Sequence, residues 1–137
     1  MTPSKAPVPF LGTWKLTKCE TSRPDLPHPV SGITTFTQEG SGIRYTNEGK
    51  WSDGRIANVR ALLKLDGTWC PIAGSLLADS LSVTQDGRTF EVRMRKDGVE
   101  IGAMRSTVST DGRTMSGHWD IIRPGGSITW KTMSDRE

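Results

Sequence analysis

Five Asp-Gly pairs punctuate this chain: Asp53-Gly54, Asp66-Gly67, Asp86-Gly87, Asp97-Gly98 and Asp111-Gly112. Both residues tolerate the positive φ angles of type I′ turns, so each pair marks a point where two antiparallel strands can be joined directly. The spacing leaves about one strand and one turn per interval. The intervals alternate as strands should. Ala57, Val59, Ala61, Leu63 and Leu65 interleave with Asn58, Arg60 and Lys64. Phe90, Val92 and Met94 interleave with Glu91, Arg93 and Arg95, and Met115, Gly117, Trp119 and Ile121 with Ser116, His118 and Asp120. Period two is the mark of a strand with one buried face.

Further strands are expected at Leu11–Glu20, Ile33–Thr37, Gly42–Asn47 and Leu81–Gln85. A last one is expected at Ser127–Met133, after the turn Arg123-Pro124-Gly125-Gly126. The sum is about eight to ten strands joined by tight turns, which implies up-and-down order. So many strands must hide their edges, and closing the sheet does that fully. The expected fold class is therefore all-β, an antiparallel up-and-down barrel. A sandwich, the alternative, more often needs longer crossover loops. Two stretches break the rhythm. Thr21–Ser31 holds Pro24, Pro27 and Pro29 and is expected as an irregular loop. Cys70–Asp79 is expected to be irregular too, with at most one helical turn.

A chain of 137 residues suits one domain over residues 1–137. No apolar run approaches the ~20 residues of a membrane-spanning helix. Met1–Phe10 lacks the apolar core of a signal peptide, so the protein is expected in the cytoplasm, or exported if a signal was removed. The net charge of +3 is spread along the chain. Its densest cluster, Arg93, Arg95 and Lys96, alternates with Glu91 and Asp97, which describes a solvated strand face and no nucleic-acid partner. Cys19 and Cys70 match no metal spacing and are expected as two thiols, with a disulfide only in an exported protein. There is no Gly-x-Ser-x-Gly elbow, phosphate loop, dinucleotide fingerprint or His-Glu-x-x-His, so no cofactor or metal is expected.

Gly12-Thr13-Trp14, followed by Lys15-Leu16, opens the first strand. A Gly-x-Trp there resembles the lipocalins and wider calycin barrels, in which the tryptophan plugs the closed end. More closely, the chain is similar to a group of bacterial lipocalin-like proteins of about this length. The matching stretches are Gly12–Leu16, Lys64–Gly74, Asp79–Val83, Arg95–Gly98 and Ser109–Met115, within residues 10–133. The resemblance implies a fold, and the group offers no general function to carry over. It also implies a late basic residue packed on the opening tryptophan, a role open to Lys131 or Arg136. Thr21–Ser31 is too short and proline-rich for the helical lid of fatty-acid-binding proteins. The C-terminal helix of larger lipocalins is not expected, since the chain ends after its last strand.

A barrel of this kind would hold a small, mostly apolar molecule in its lumen. Tyr45, Trp51 and Trp69 lie near strand ends or turns, where aromatic rings can rim a mouth. Trp119 belongs to an inward set. Arg60, Arg93 and Arg105 lie inside strands, and an inward Arg105 would hold a ligand carboxylate through a charge-assisted bond. The competing parity turns Met104 and Val108 inward and Arg105 to solvent. The expected ligand-binding set is Tyr45, Trp51, Arg60, Arg105 and Trp119. The alternative function is a barrel enzyme, a cyclase, isomerase or lyase acting on a hydrophobic small molecule, with His118 as general base and Asp120 orienting it. A third possibility is a filled barrel that acts through its surface. His28, between Pro27 and Pro29, is expected at the surface.

Overall fold

In the computed structural model, which describes residues 8–123 and 126–137, ten strands form a closed sheet. They are β1 (Gly12–Thr21), β2 (Pro29–Glu39), β3 (Gly42–Trp51), β4 (Ile56–Leu63), β5 (Asp66–Ala73), β6 (Ser80–Asp86), β7 (Thr89–Lys96), β8 (Val99–Val108), β9 (Thr114–Arg123) and β10 (Gly126–Arg136). Each pairs antiparallel with its sequence neighbour, and β1 pairs with β10 to close the barrel. The centre of the expected last turn, Pro124 and Gly125, lies outside the described residues, as does most of Met1–Phe10.

The Asp-Gly pairs serve the turns in three ways. Asp97 and Gly98 have φ of 52° and 78°, both positive, as a type I′ turn requires. Asp53 and Asp111 brace their loops with carboxylates: Asp53 Oδ1 accepts the Arg55 N–H at 3.1 Å and Asp111 Oδ1 the Arg113 N–H at 3.0 Å. Asp86 closes β6, leaving Gly87 and Arg88 at the tip. Asp66-Gly67 departs from the pattern. The chain reverses just before it, and the pair opens β5 at a bulge in the register with β6.

Both expected irregular stretches are shorter than the prolines suggested. β2 begins at Pro29, so the first loop spans only residues 22–28. β5 runs through Cys70 to Ala73, confining the second to residues 74–79, which bend without a helical turn. Pro71 is tolerated because β5 is thinly paired with β4, through Arg60↔Ala73 and Ala61↔Ile72. Cys70 is buried and Ile72 packs against the core, a period-two signal that the proline hides.

One end of the barrel is sealed by the opening motif. Trp14 is 1% exposed, and its indole N–H donates to the Phe10 carbonyl at 2.9 Å. Burying a ring of this size is worth about 5 kcal/mol as an upper bound. Phe10 packs on Phe36 and Phe90, at ring separations of 5.0 and 4.5 Å. The basic residue over Trp14 is Arg136, with its guanidinium carbon 4.2 Å from the ring centre. The same guanidinium donates to the carbonyls of Gly112 (2.7 Å), Leu11 (2.5 Å) and Pro9 (2.7 Å), tying the last strand to the entry segment. A Cβ on Gly12 would stand 2.6 Å from that guanidinium, so the glycine of the motif makes room for an arginine. Lys131 lies on the outer face beside Glu20.

Candidate functional site

The inward side chains enclose a cavity of about 190 Å³. Strand parity decides what lines it. β4 alternates strictly, with Ala57, Val59, Ala61 and Leu63 inside and Asn58, Arg60 and Leu62 outside. In β1, a bulge between Leu16 and Lys18 resets the parity, so that Leu16 and Cys19 both sit on the inner side. Two aromatic clusters bracket the space. Phe10, Phe36, Tyr45 and Phe90 fill the sealed half, with Phe36 and Tyr45 stacked at 5.3 Å. Trp51, Trp119 and Trp130 stand in the other half, Trp130 at 5.4 Å from Trp51 and 5.8 Å from Trp119. Ser75, Leu76, Leu77 and Ala78, from the loop between β5 and β6, complete the lining at that end.

Gly32 and Gly49 face each other across β2 and β3 on this wall. Together they leave a patch of bare backbone where side chains would otherwise narrow the lumen. The polar groups nearby are mostly paired: Asn47 Nδ2 donates to Thr34 Oγ1 at 2.8 Å, and Trp119 Nε1 to Thr132 Oγ1 at 3.2 Å. Tyr45 is the one titratable side chain on the lining among the described residues, and burial pushes its phenol up to about 12, so it stays neutral.

Of the expected ligand-binding set, Tyr45, Trp51 and Trp119 line the cavity. Arg60 and Arg105 do not. Arg60 takes the outward parity of β4, and Arg105 is two-thirds exposed and paired with Glu91 at 2.9 Å. The competing parity of β8 holds: Met104 and Ser106 line the lumen, and Val108 is buried. A guanidinium turned inward there would have needed a buried counter-charge, whereas outside it stays hydrated and pairs with Glu91. His118 and Asp120 also face outward, 3.6 Å apart and both more than half exposed, away from any lumen substrate. A lateral row runs across the outer wall, Glu20–Lys131–His118–Arg105–Glu91, one residue per strand from β1 through β10, β9 and β8 to β7. The glutamates at the two ends of the row balance Lys131 and Arg105 between them. Trp69 stands outside as well, with Arg95 over its ring at 3.6 Å and Arg93 at 5.5 Å.

The alternation alone could not place Ser106, Thr34, Asn47 or Trp130 on the lumen wall, and none was expected there. Cys19 and Cys70 are both free thiols, and burial pushes Cys19 up to about 11. His28 sits in the loop of residues 22–28, where its N–H donates to Ser52 Oγ at 3.1 Å, linking two loops at the end opposite Trp14. No helix among the described residues is long and apolar enough to cross a membrane.

No protein-family model matches the chain, and no curated protein does. Solved structures do match in shape. The zebrafish ileal bile acid-binding protein complexed with cholic acid superposes with a TM-score of 0.57 at 11% identity, over 94% of this chain and 99% of that one. Rv2717c from M. tuberculosis gives 0.59 at 15% identity, over 94% and 93%. The S-type phycobiliprotein lyase CPES from Guillardia theta gives 0.54 at 13% identity, over 94% and 88%. At such identities the likeness is one of fold: the chain is a lipocalin/calycin-like ten-strand barrel.

Proposed function

We infer that this protein binds a small, mostly apolar molecule inside its barrel. The observation that carries this is the unfilled lumen: side chains of ten strands close around about 190 Å³ of largely apolar space instead of packing it solid. A dry cavity of ~150 Å³ accepts benzene, so the occupant is about the size of one substituted ring or a small bicycle. The zebrafish barrel is complexed with cholic acid, a four-ring steroid. The fold is compatible with such cargo, but this lumen is cut to a smaller one. The enzymatic alternative has little to work with, because the described lumen residues include no acid or base that titrates near neutrality.

Toluene is a suitable first probe. Binding should raise the melting temperature in a dose-dependent way and alter tryptophan emission, since Trp51, Trp119 and Trp130 all line the cavity. Gly32→Val should abolish both effects while leaving the fold intact, because a Cβ there meets its nearest neighbour at an ordinary 3.6 Å. If toluene and a panel of similarly sized apolar probes produce neither effect, a lumen-binding function is ruled out.

A further inference from the structure

We propose that the lumen selects an uncharged molecule bearing a hydrogen-bond acceptor, such as an aryl ketone, over the carboxylate of the same shape, with the Tyr45 hydroxyl as the donor that meets it. This rests on lumen binding and names the class of ligand. Three observations carry it.

First, no Lys, Arg, His, Asp or Glu lines the cavity among the described residues. The cations that strand positions offered are engaged elsewhere or turned out: Arg105 pairs with Glu91, Arg136 covers Trp14, and Arg60 faces solvent. A carboxylate entering this space would lose its hydration and gain no counter-charge. Second, the polar groups that remain free on the wall are neutral donors. The Trp130 indole N–H, on a side chain 1% exposed, is buried with no hydrogen-bond partner among the described residues, and the Tyr45 and Ser106 hydroxyls stand on the same lining. Buried donors without acceptors are costly, and an acceptor brought by a ligand removes that cost. Third, two neighbouring donors are already engaged: Asn47 Nδ2 donates to Thr34 and Trp119 Nε1 to Thr132, which holds those side chains in place. Tyr45 also keeps its proton far above neutrality, because ionising it inside this wall is unfavourable. It is therefore a donor at every physiological pH. Its ring stacks on Phe36, which holds the hydroxyl in one direction.

Three probes of equal heavy-atom count and shape separate the possibilities: acetophenone, α-methylstyrene and benzoate, titrated at neutral pH by calorimetry and tryptophan fluorescence. Acetophenone should bind best. α-Methylstyrene, which lacks the acceptor, should bind roughly three- to tenfold more weakly, the worth of one neutral buried hydrogen bond. Benzoate should bind at least about a hundredfold more weakly than acetophenone, and tighten as the pH falls toward its own pKa. Tyr45→Phe should bring acetophenone down to the level of α-methylstyrene and leave α-methylstyrene unchanged. Benzoate within tenfold of acetophenone would overturn the charge selection. Equal affinity for ketone and alkene, or a ketone preference that survives in Tyr45→Phe, would overturn the role of Tyr45. Failure of all three probes, with toluene also silent, would remove lumen binding itself and the proposal with it.

Discussion

At the scale of single residues, the sealed end and the lumen make opposite demands on charge. Arg136 is useful because it lies outside the barrel wall, where its guanidinium covers Trp14 and reaches three carbonyls at once. Arg136→Ala should cost about 2 kcal/mol in urea unfolding, taking the low end of each contribution because the group is exposed. Arg136→Lys should recover only a fraction, since an ammonium cannot span the three acceptors and the ring together. Inside, Tyr45 ties stability to alkaline pH. Its proton is held to about 12 in the fold, while an unfolded tyrosine releases it near 10.0. The stabilisation is therefore complete below pH 10 and is lost as pH rises from 10 to 12, by about 3 kcal/mol in total. Cys19, held to about 11 against 9.0, starts the decline one unit earlier. Melting temperatures measured under reductant should thus fall from about pH 9 upward. Tyr45→Phe should flatten the upper part of that fall and Cys19→Ala the lower part. Several of these roles were open in the sequence: Gly-x-Trp named its plug, and Arg136 was one of two candidates for covering it. The sequence left Arg105 undecided because Ile101 and Ala103 share its parity while Met104 and Val108 take the opposite one.

At the scale of elements, the wall is uneven. β2–β3 and β9–β10 are paired along their whole lengths, whereas β4 and β5 meet at only two registered positions. Amides of β5 facing β4 should exchange with deuterium faster than those of β3 or β10, since a thin ladder opens locally at low cost. The seam is closed at its end by Gly74, whose carbonyl accepts the Asn58 N–H at 3.3 Å. A Cβ at Gly74 would stand 1.8 Å from the Asn58 carbonyl, and its φ is +79°. Gly74→Ala should therefore destabilise by about 2–4 kcal/mol, visible as a lowered urea midpoint, and should further speed exchange in β5. Strand number and order were readable from Asp-Gly spacing and alternation. Strand ends were not, because Pro29 and Pro71 argue against a strand locally while the partner strands tolerate them.

At the scale of the whole molecule, closure joins the ends of the chain. Trp14 pairs in register with Arg136, so the last step of barrel formation must bring nearly the full length together. Pairings of such sequence separation are entropically late, and refolding followed by tryptophan fluorescence should take milliseconds to seconds, not microseconds. A microsecond single phase would mean that closure is not rate-limiting. The same closure creates the lumen, and with it the proposed ligand class. By itself the sequence determined the all-β class, the meander order and the identity of the plug, because these follow from local turn chemistry and a two-residue period. Only the tertiary structure decided which face of each strand looks inward where bulges reset the parity. It alone decided that every described charged side chain stays out of the cavity, and that Tyr45, Ser106 and Trp130 all line it, the Trp130 indole N–H without a partner. Those facts depend on which strands end up adjacent around a closed ring, and no window of sequence contains that geometry.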